Sequence, residues 1–324
     1  MSWFRNNHSA KLGIDISTTA IKLVELKHDS NGFTLESYAV VPLSDESLID
    51  KNFFNIDLIS QSLKMALKLS GTSVKQACVA LSGAAVMSKI INLPALLSEN
   101  EIERQIINET DEYIPYPLKD INFDFEIQGI SEDNPQLLDI LLVVSRRENV
   151  EQRIAALALA GLKTAVVDTE LFALERAFIL LANQLPDTLK HQTVALLDIG
   201  VTACSLNIVY QGRSIYSREQ LVSGQLSSDQ SISFINSIKQ QISRLLQFFA
   251  ISMDSHPIDA MILSGGCAVM DGLQQLLTAD LKLPVYIANP FSQLTLSARI
   301  NSKNLNRDAA KLTIACGLAL RSFD

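Results

Sequence analysis

The sequence is poor in residues that bind metals or form crosslinks, with four cysteines and four histidines in 324 residues. The cysteines lie far apart in apolar surroundings, without the Cys-x-x-Cys or Cys/His spacing of a zinc site. The histidines lie in polar or loop-like segments, and the sequence context marks no serine or cysteine near them as a nucleophile, so no catalytic role is assigned to them. This pattern excludes a zinc-ribbon or disulfide-rich class and predicts reduced, buried thiols. They are Cys78, Cys204, Cys267 and Cys316.

The chain also lacks a basic excess and a long apolar run. Its 35 acidic residues outnumber its 27 basic ones, and the formal net charge is −8. Because Lys and Arg are dispersed, nucleic acid is not expected as a partner. The apolar stretch 154–167 is interrupted by Lys163 and is too short to span a bilayer, and residues 1–5 show no signal-peptide core. A cytoplasmic protein without a membrane span of its own is therefore predicted.

The most informative pattern that is present is a repeated strand, turn and strand with an aspartate before the turn. The first copy places Asp15 after an apolar strand, and the second places Asp198 in the same position. Two such hairpins facing each other can hold a magnesium-bound phosphate chain, as in actin-like ATPases and sugar kinases. Either hairpin alone is also compatible with an ordinary β-turn. The matched pair favours two related lobes around a nucleotide cleft, and at 48% hydrophobic residues the chain can bury two cores.

The hairpin residues can be given chemical roles. A carboxylate at the end of an apolar strand is costly unless it is solvated, hydrogen-bonded or linked to a metal. Asp15 and Asp198 are therefore predicted to hold Mg²⁺ through water. Lys22 could add positive charge near the phosphates, although a solvated strand lysine is an equal alternative. The predicted hydroxyl and N–H contacts to phosphate are Ser17, Thr18, Thr19, Gly200 and Thr202.

A third element of the predicted site is the run Ser264, Gly265 and Gly266 between a strand and a helix. Glycine has no Cβ, and a helix start presents free N–H groups, so backbone can approach a base or a phosphate there. By itself the run is more typical of a plain strand-to-helix turn. Together with the two aspartate hairpins, Gly265 and Gly266 are predicted to contact the nucleotide.

The order of predicted elements divides the chain into two lobes. Residues 1–185 form the first, with a three-stranded meander, a helix and further strands, and residues 186–324 repeat this order. Residues 83–146 leave the first lobe as a small α+β insert, whose helix begins at a capping box of Ser98 and Glu101. Mixed sheets with helices on both faces are thus predicted in duplicate, an α/β class.

Several segments resemble the PilM family, the cytoplasmic actin-like proteins of type IV pilus machines, which are related to the division protein FtsA. The most specific is 112–118, Glu-Tyr-Ile-Pro-Tyr-Pro-Leu, with Asp124 and Phe125 downstream. The resemblance covers nearly the whole chain. Further segments also resemble the family. They are residues 13–15 with 20–26, residues 160–162 leading to 167–168, and residues 198–200, 246–249, 265–266 and 272–273.

The resemblance implies an actin-like, ribonuclease H-like fold in which the insert replaces one actin subdomain. It implies ATP with Mg²⁺ in the central cleft. It also implies that the first lobe and insert bind the cytoplasmic N-terminal peptide of a PilN-like membrane protein, beside other proteins of the pilus inner-membrane complex. Such a protein would be peripheral to the inner membrane through its partner. Trp3 and Phe4 could belong to such a contact surface, but an unstructured tail with two aromatic residues is the favoured interpretation.

Two departures from the family pattern bear on the nucleotide. The family usually has glycine where this chain has Ser17, and a Cβ there can restrict backbone that curls around phosphate. The family also has a whole subdomain after the third strand of the second lobe, whereas about ten residues, 221–230, are present here. Ten residues cannot build a packed subdomain. We therefore expect ATP to be bound weakly or not at all.

Two other functions are compatible with the same fold. A sugar or acid kinase would need a base aspartate beside a substrate pocket and a full-size second lobe, and neither is visible in the sequence. A filament-forming, FtsA-like protein would assemble with increasing concentration, and the sequence leaves homo-oligomerisation open. A pilus scaffold without ATP turnover is the function that the residues favour.

Overall fold

The computed structural model describes residues 10–44, 48–49, 52–53, 55–222, 231–253 and 256–323. Trp3, Phe4 and most of the short connection 221–230 lie outside the described residues.

The strands form two large sheets, one small sheet and one hairpin. They are β1 (Leu12–Ile16), β2 (Ala20–Asp29), β3 (Gly32–Pro42), β4 (Leu48–Ile49), β5 (Asn52–Phe53), β6 (Gln76–Leu81), β7 (Val86–Pro94), β8 (Ile121–Ile130), β9 (Leu137–Arg146), β10 (Lys163–Thr169), β11 (Val194–Ile199), β12 (Ala203–Tyr210), β13 (Arg213–Leu221), β14 (Ala260–Ser264), β15 (Val285–Ile287) and β16 (Thr295–Leu296).

The helices connect the strands and cover the sheets. They are α1 (Ile56–Ser70), α2 (Glu99–Asn108), α3 (Thr110–Tyr113), α4 (Arg147–Leu159), α5 (Glu170–Leu181), α6 (Ser231–Ser252), α7 (Leu273–Leu281), α8 (Ser302–Asp308) and α9 (Thr313–Leu320). Side-chain caps fix several starts: Asn55 accepts from the N–H of Leu58 before α1, and Thr169 accepts from the N–H of Phe172 before α5.

The two large sheets have the same topology. The first has the order β10-β6-β1-β2-β3-β16 and the second β15-β14-β11-β12-β13. In each, an antiparallel meander is extended on its first strand by two parallel strands. The duplicated mixed sheets predicted from the sequence are thus confirmed. The carboxyl end of β1 and the carboxyl end of β11 occupy equivalent positions, and the predicted aspartates lie at these ends.

The C-terminal part of the described chain returns to the first sheet. β16 pairs in parallel with β3, and α9 packs against β1, β2 and α5. The approach is close because glycines line it: a Cβ on Gly13 would lie 1.9 Å from the carbonyl oxygen of Ala315, and one on Gly317 1.8 Å from that of Ala173. Apolar residues between 291 and 320, which follow the boundary predicted at 185/186, thus share a core with the first sheet.

The insert consists of two layers, a small sheet and a helix. The antiparallel sheet β7-β9-β8 packs one face on α2, and the shared core includes Ile102, Ile106, Ile140 and Leu142. The predicted capping box at the start of α2 is present, with both Ser98 and Glu101 bonded. The sequence pattern predicts a single helix from Ser98 to about Tyr113, but the helix is interrupted at Glu109, so α2 and α3 are distinct.

Within the described residues, no helix is both long enough and apolar enough to cross a membrane.

Candidate functional site

The first hairpin brings a buried carboxylate and a buried ammonium group together. Asp15 and Lys22 are cross-strand partners on β1 and β2, and they are 2% and 7% exposed. The Lys22 Nζ donates to Asp15 Oδ2 over 2.7 Å. The strand lysine of the sequence analysis is therefore not solvated. It neutralises the carboxylate that was predicted to hold magnesium.

The second hairpin places Asp198 at the equivalent end of β11. Its Oδ1 accepts a hydrogen bond of 2.9 Å from the hydroxyl of Ser264 on the neighbouring parallel strand β14. Burial raises the pKa of the Asp198 carboxyl to about 6, and the negative charges of Asp15 and Glu170 add to this, while Lys22 and the Ser264 hydroxyl oppose it. The surroundings of Asp198 therefore disfavour its charged form, mainly through burial.

The electrostatics of Lys22 link the two hairpins. Burial lowers the pKa of Lys22, but the carboxylates of Asp15 and Asp198, and more weakly Glu170, raise it more, so the net pKa is raised. Asp15 belongs to the first sheet and Asp198 to the second. Lys22 thus lies in the field of carboxylates from both large sheets.

Two charged residues of this site were missed by the sequence analysis. Glu170 is the buried first residue of α5, and Arg153 of α4 is 2% exposed. The Arg153 Nε donates to the carbonyl of Ala80 over 2.8 Å. Burial lowers its pKa to about 10, while Glu170 and Asp15 hold it up. The available signal was an arginine on the apolar face of a predicted helix, which is unusual unless it is paired.

The turn of the first hairpin is closed by Ser17. Its N–H and its hydroxyl both donate to the carbonyl of Ala20, over 3.1 and 3.0 Å. Ser17 is not among the residues with positive φ, so the turn does not require the glycine typical of the family. Thr18 is half-buried, and Thr19 is exposed and accepts the N–H of Leu43 on its carbonyl. Ser17 therefore has a turn-forming role, and its hydroxyl is engaged in the turn.

The second hairpin closes in a similar way. The Gly200 N–H donates to the carbonyl of Ala203 over 2.9 Å, and the Thr202 carbonyl accepts the N–H of Val222. Both residues are half-buried beside Asp198. The side chain of Thr202 remains a candidate phosphate contact, whereas the Gly200 N–H is used within the turn.

The two glycines after β14 have different surroundings. Gly265 has φ +92°, and a Cβ on it would lie 2.5 Å from the carbonyl oxygen of Ile199, so it packs β14 against the second hairpin. Its N–H donates to Ala310. A Cβ on Gly266 would meet no atom within 4 Å. Of the pair, Gly266 borders open space, and α7 begins only at Leu273, later than the predicted start near 270.

These residues fit a water-bridged magnesium ion only in part. Within the described ranges, no group of three or more His, Cys, Asp or Glu side chains could hold a metal ion directly. Mg²⁺ bound with a nucleotide typically keeps several waters and uses one or two carboxylates. Asp198 is suited to that role, while Asp15 is already paired with Lys22. Bound ATP would supply phosphate oxygens that Lys22 and Asp198-linked magnesium could neutralise.

The two repeated sheets, the facing aspartate hairpins and the inserted α+β layer define an actin-like protein. Within this class, the model of the type IV pilus assembly protein PilM matches residues 13–233 and 228–323. The chain belongs to the PilM family.

The fold is also found in solved structures, of which two serve as examples. A chain of a PilM-PilN type IV pilus biogenesis complex superposes with a TM-score of 0.79 at 24% identity, covering 98% of this chain and 99% of that one. The ethanolamine utilization protein EutJ from Carboxydothermus hydrogenoformans gives a TM-score of 0.53 at 12% identity, covering 96% and 89%. Both similarities concern the fold.

Proposed function

We propose that the chain is an actin-like scaffold of a type IV pilus inner-membrane complex and binds the cytoplasmic N-terminal segment of a PilN-like membrane protein. The observation that carries the proposal is the family match over nearly the whole described chain. The first lobe and the insert each contain a buried apolar core, which supports it. The protein would be held at the inner membrane through this partner.

The open face of the insert sheet is a suitable docking surface. Side chains alternate along strands, so the face opposite α2 carries Ile90 from β7, Leu141 from β9 and Glu126 from β8, which share one register row. Ile90 is 50% exposed. At one end of this face, a groove of about 450 Å³ is lined by residues 128–133 together with Ile90, Asn92 and Asp139. The surface combines apolar and acidic side chains.

The charge of this open face suits a segment next to a membrane span. It has five carboxylates and no lysine or arginine among its register positions and groove residues: Asp124, Glu126, Glu132, Asp133 and Asp139. Cytoplasmic segments beside a transmembrane helix are enriched in Lys and Arg. A short peptide with apolar and basic side chains would therefore be complementary to the face, with the rim charges mainly raising the association rate.

Binding of a PilN-like peptide can be tested by calorimetric titration of the purified protein. The peptide should bind the wild type, and Glu126→Lys should weaken it about tenfold or more, because a like charge then faces the basic residues. Glu103→Lys, the same charge change on the exposed side of α2, should leave affinity nearly unchanged. Equal effects of the two variants would reject the open face, and absence of binding to the wild type would reject the partner.

We also propose that Mg-ATP binds weakly. Lys22 already pairs with Asp15, so a nucleotide must break or share that pair. Nine residues, 222–230, join β13 to α6, which is too few for a subdomain that closes over adenine. Calorimetry with Mg-ATP on wild type and Asp198→Ala tests this. Saturable, tight binding of Mg-ATP that Asp198→Ala abolishes would contradict weak nucleotide binding. The proposal that the protein binds a PilN-like peptide would not be affected by that result.

A further inference from the structure

A row of four polar side chains crosses the second sheet. The four residues lie directly opposite one another on neighbouring strands, so their side chains share one face of the sheet. They are Ser264 of β14, Asp198 of β11, Ser205 of β12 and Glu219 of β13. Lys22 of the first sheet lies in the field of Asp198. At this point the row is therefore close to the first lobe.

Glu219, the last member of the row, binds the turn from which the insert starts. Its Oε1 accepts the N–H of Ala84 over 3.2 Å, and its Oε2 accepts the Ser205 hydroxyl over 3.1 Å. Ala84 belongs to the 3-10 turn Gly83–Ala85, which joins β6 of the first sheet to β7 of the insert. The carboxylate is thus held by a hydroxyl of its own sheet and bonds the second lobe to the base of the insert.

The same turn is fixed to the other strand at the base of the insert. The hydroxyl of Ser145, near the end of β9, donates to the carbonyl of Ala85 over 2.7 Å. The chain enters the insert through this turn after β6 and returns to the first lobe from β9 into α4. These two connections attach the insert to the first lobe. Because Glu219 comes from the second lobe, its bond to Ala84 can limit rotation of the insert about this attachment.

The orientation of the insert matters for its open face, because α5 lies near one part of that face. Burial raises the pKa of the Glu175 carboxyl on α5, and the charge of Glu126 on the open face adds to this. The two carboxylates are therefore within electrostatic range of each other. Rotation of the insert would change their separation, and with it the space available to a peptide on the open face.

We propose that Glu219 is a positioning residue for peptide docking, because its bond to the Ala84 N–H holds the insert in the orientation that presents the open face. The docking part of this inference rests on the proposed binding of a PilN-like segment. A hydrogen bond to an ionised carboxylate is stronger than one between neutral groups. When a binding-competent orientation is populated only part of the time, the apparent affinity falls by the same fraction.

The hold on the insert can be tested without any peptide. Spin labels at Glu103→Cys on α2 and Ala250→Cys on α6 place one exposed label on the insert and one on the second lobe, while the native cysteines are buried. Double electron–electron resonance should give a narrow distance distribution, which Glu219→Ala broadens. Glu219→Gln should keep it narrow, since glutamine retains an acceptor for the Ala84 N–H and removes only the charge.

Glu25→Ala is the matched control for the loss of the Glu219 carboxylate. Glu25 accepts the Ser37 hydroxyl over 2.8 Å between two strands of the first sheet, as Glu219 accepts the Ser205 hydroxyl in the second. Glu25→Ala removes the same kind of cross-strand bond without touching the base of the insert. It should therefore leave the distance distribution narrow.

Calorimetric titration with the PilN-like peptide tests the positioning role. Glu219→Ala should raise the Kd roughly threefold to tenfold, because the docking orientation is then populated only part of the time. Glu219→Gln and Glu25→Ala should leave the Kd near the wild-type value. Recovery by Glu219→Gln separates positioning from direct attraction of a basic peptide by the Glu219 charge.

Several outcomes would overturn the inference. A distance distribution that stays equally narrow with Glu219→Ala would show that the bond does not hold the insert. A broader distribution with unchanged peptide affinity, or an equal loss of affinity in Glu219→Gln, would reject the positioning role. Absence of peptide binding to the wild type would reject the proposed partner, and the distance distributions would still decide whether Glu219 holds the insert. Thermal unfolding of each variant, followed by circular dichroism, shows whether the fold is retained.

Discussion

At the residue scale, the cleft is dominated by one ammonium group among carboxylates. Lys22 lies against Asp15 and in the field of Asp198 and Glu170. A buried charge is tolerated only when it is paired. The Lys22 ammonium group therefore neutralises Asp15 of its own sheet and is also attracted to Asp198, a carboxylate of the second sheet.

Replacing Lys22 by methionine should destabilise the fold. The change keeps the length of the side chain and leaves Asp15 without its ammonium partner, so we expect a loss of about 3–5 kcal/mol. Lys239→Met breaks the more exposed pair with Asp280 and should cost less than about 1 kcal/mol. Urea unfolding of both variants measures the difference. A loss below about 1 kcal/mol for Lys22→Met would show that the pair contributes little.

The titration of Asp198 gives a second prediction. Its pKa rises from an ordinary value of 3.8 to about 6 on folding, so between these pH values the native state binds more protons than the unfolded state. Stability from this group is therefore present at low pH and is lost as pH rises from about 4 to about 6. The Asp198→Asn variant removes this loss of stability, and its side-chain oxygen can still accept the hydrogen bond from the Ser264 hydroxyl.

Asp198→Asn should accordingly raise the melting temperature relative to wild type at pH 7.5, with a smaller or no gain at pH 4. The expected difference between the two pH values is roughly 1–3 kcal/mol. Thermal unfolding across this range tests it. A gain that does not depend on pH would mean that the carboxyl titrates normally in the folded protein.

At the scale of elements, the contact of α9 with α5 depends on Gly317. Its added Cβ would lie 1.8 Å from the carbonyl oxygen of Ala173, which is backbone and cannot move aside easily. Gly317→Ala should cost about 1–3 kcal/mol or more. Gly266→Ala, at a position bordered by open space, should change stability by less than about 1 kcal/mol. Similar denaturation midpoints for the two variants would contradict this account.

Most elements could be predicted from the sequence because their signals are local. Apolar periodicity and flanking turn residues predict strands over 76–81 and 203–210 and a helix over about 231–252, and β6, β12 and α6 have these bounds. The Ala-rich pattern over 308–320 predicts one helix, but a 3-10 turn, Ala309–Leu312, precedes α9. Helix α8 was missed, since its apolar contact is a single residue, Leu305.

In the candidate site, residues with a local sequence signal could be predicted, whereas residues placed by tertiary packing could not. A carboxylate after an apolar strand is visible in sequence, so Asp15 and Asp198 could be predicted as candidates, and the structure places Lys22 in the field of both carboxylates. The pairing of Lys22 with Asp15 depends on register, and the participation of Glu170 and Arg153 depends on how α5 and α4 pack. These are tertiary facts that no local pattern encodes.

At the scale of the whole molecule, the first lobe is built from both ends of the described chain. Leu305, Leu312 and Ala315 share a core with Val24 and Leu35, and the N–H of Lys11 donates to the Ser322 hydroxyl over 3.0 Å. The two lobes are therefore not independent segments, although the sheets are repeats.

A chain ending at residue 290 should consequently fail to form a native first lobe. Loss of β16, α8 and α9 exposes one apolar face of β1 to β3, so we expect hydrophobic dye binding and a broad unfolding transition in place of a cooperative one. The full chain under the same conditions is the control. A truncated protein that unfolds sharply and excludes the dye would show that the C-terminal segment is dispensable.

The same return of the chain to the first sheet determines the order in which the two lobes can fold during biosynthesis. A ribosome makes the strands β1, β2 and β3 early, but the residues that cover one side of them emerge only after the entire second sheet. The second lobe can therefore mature while the first is still open, which reverses the usual order of domain folding during translation. Nascent chains that pause before residue 291 would present their apolar strands to chaperones and proteases throughout the delay.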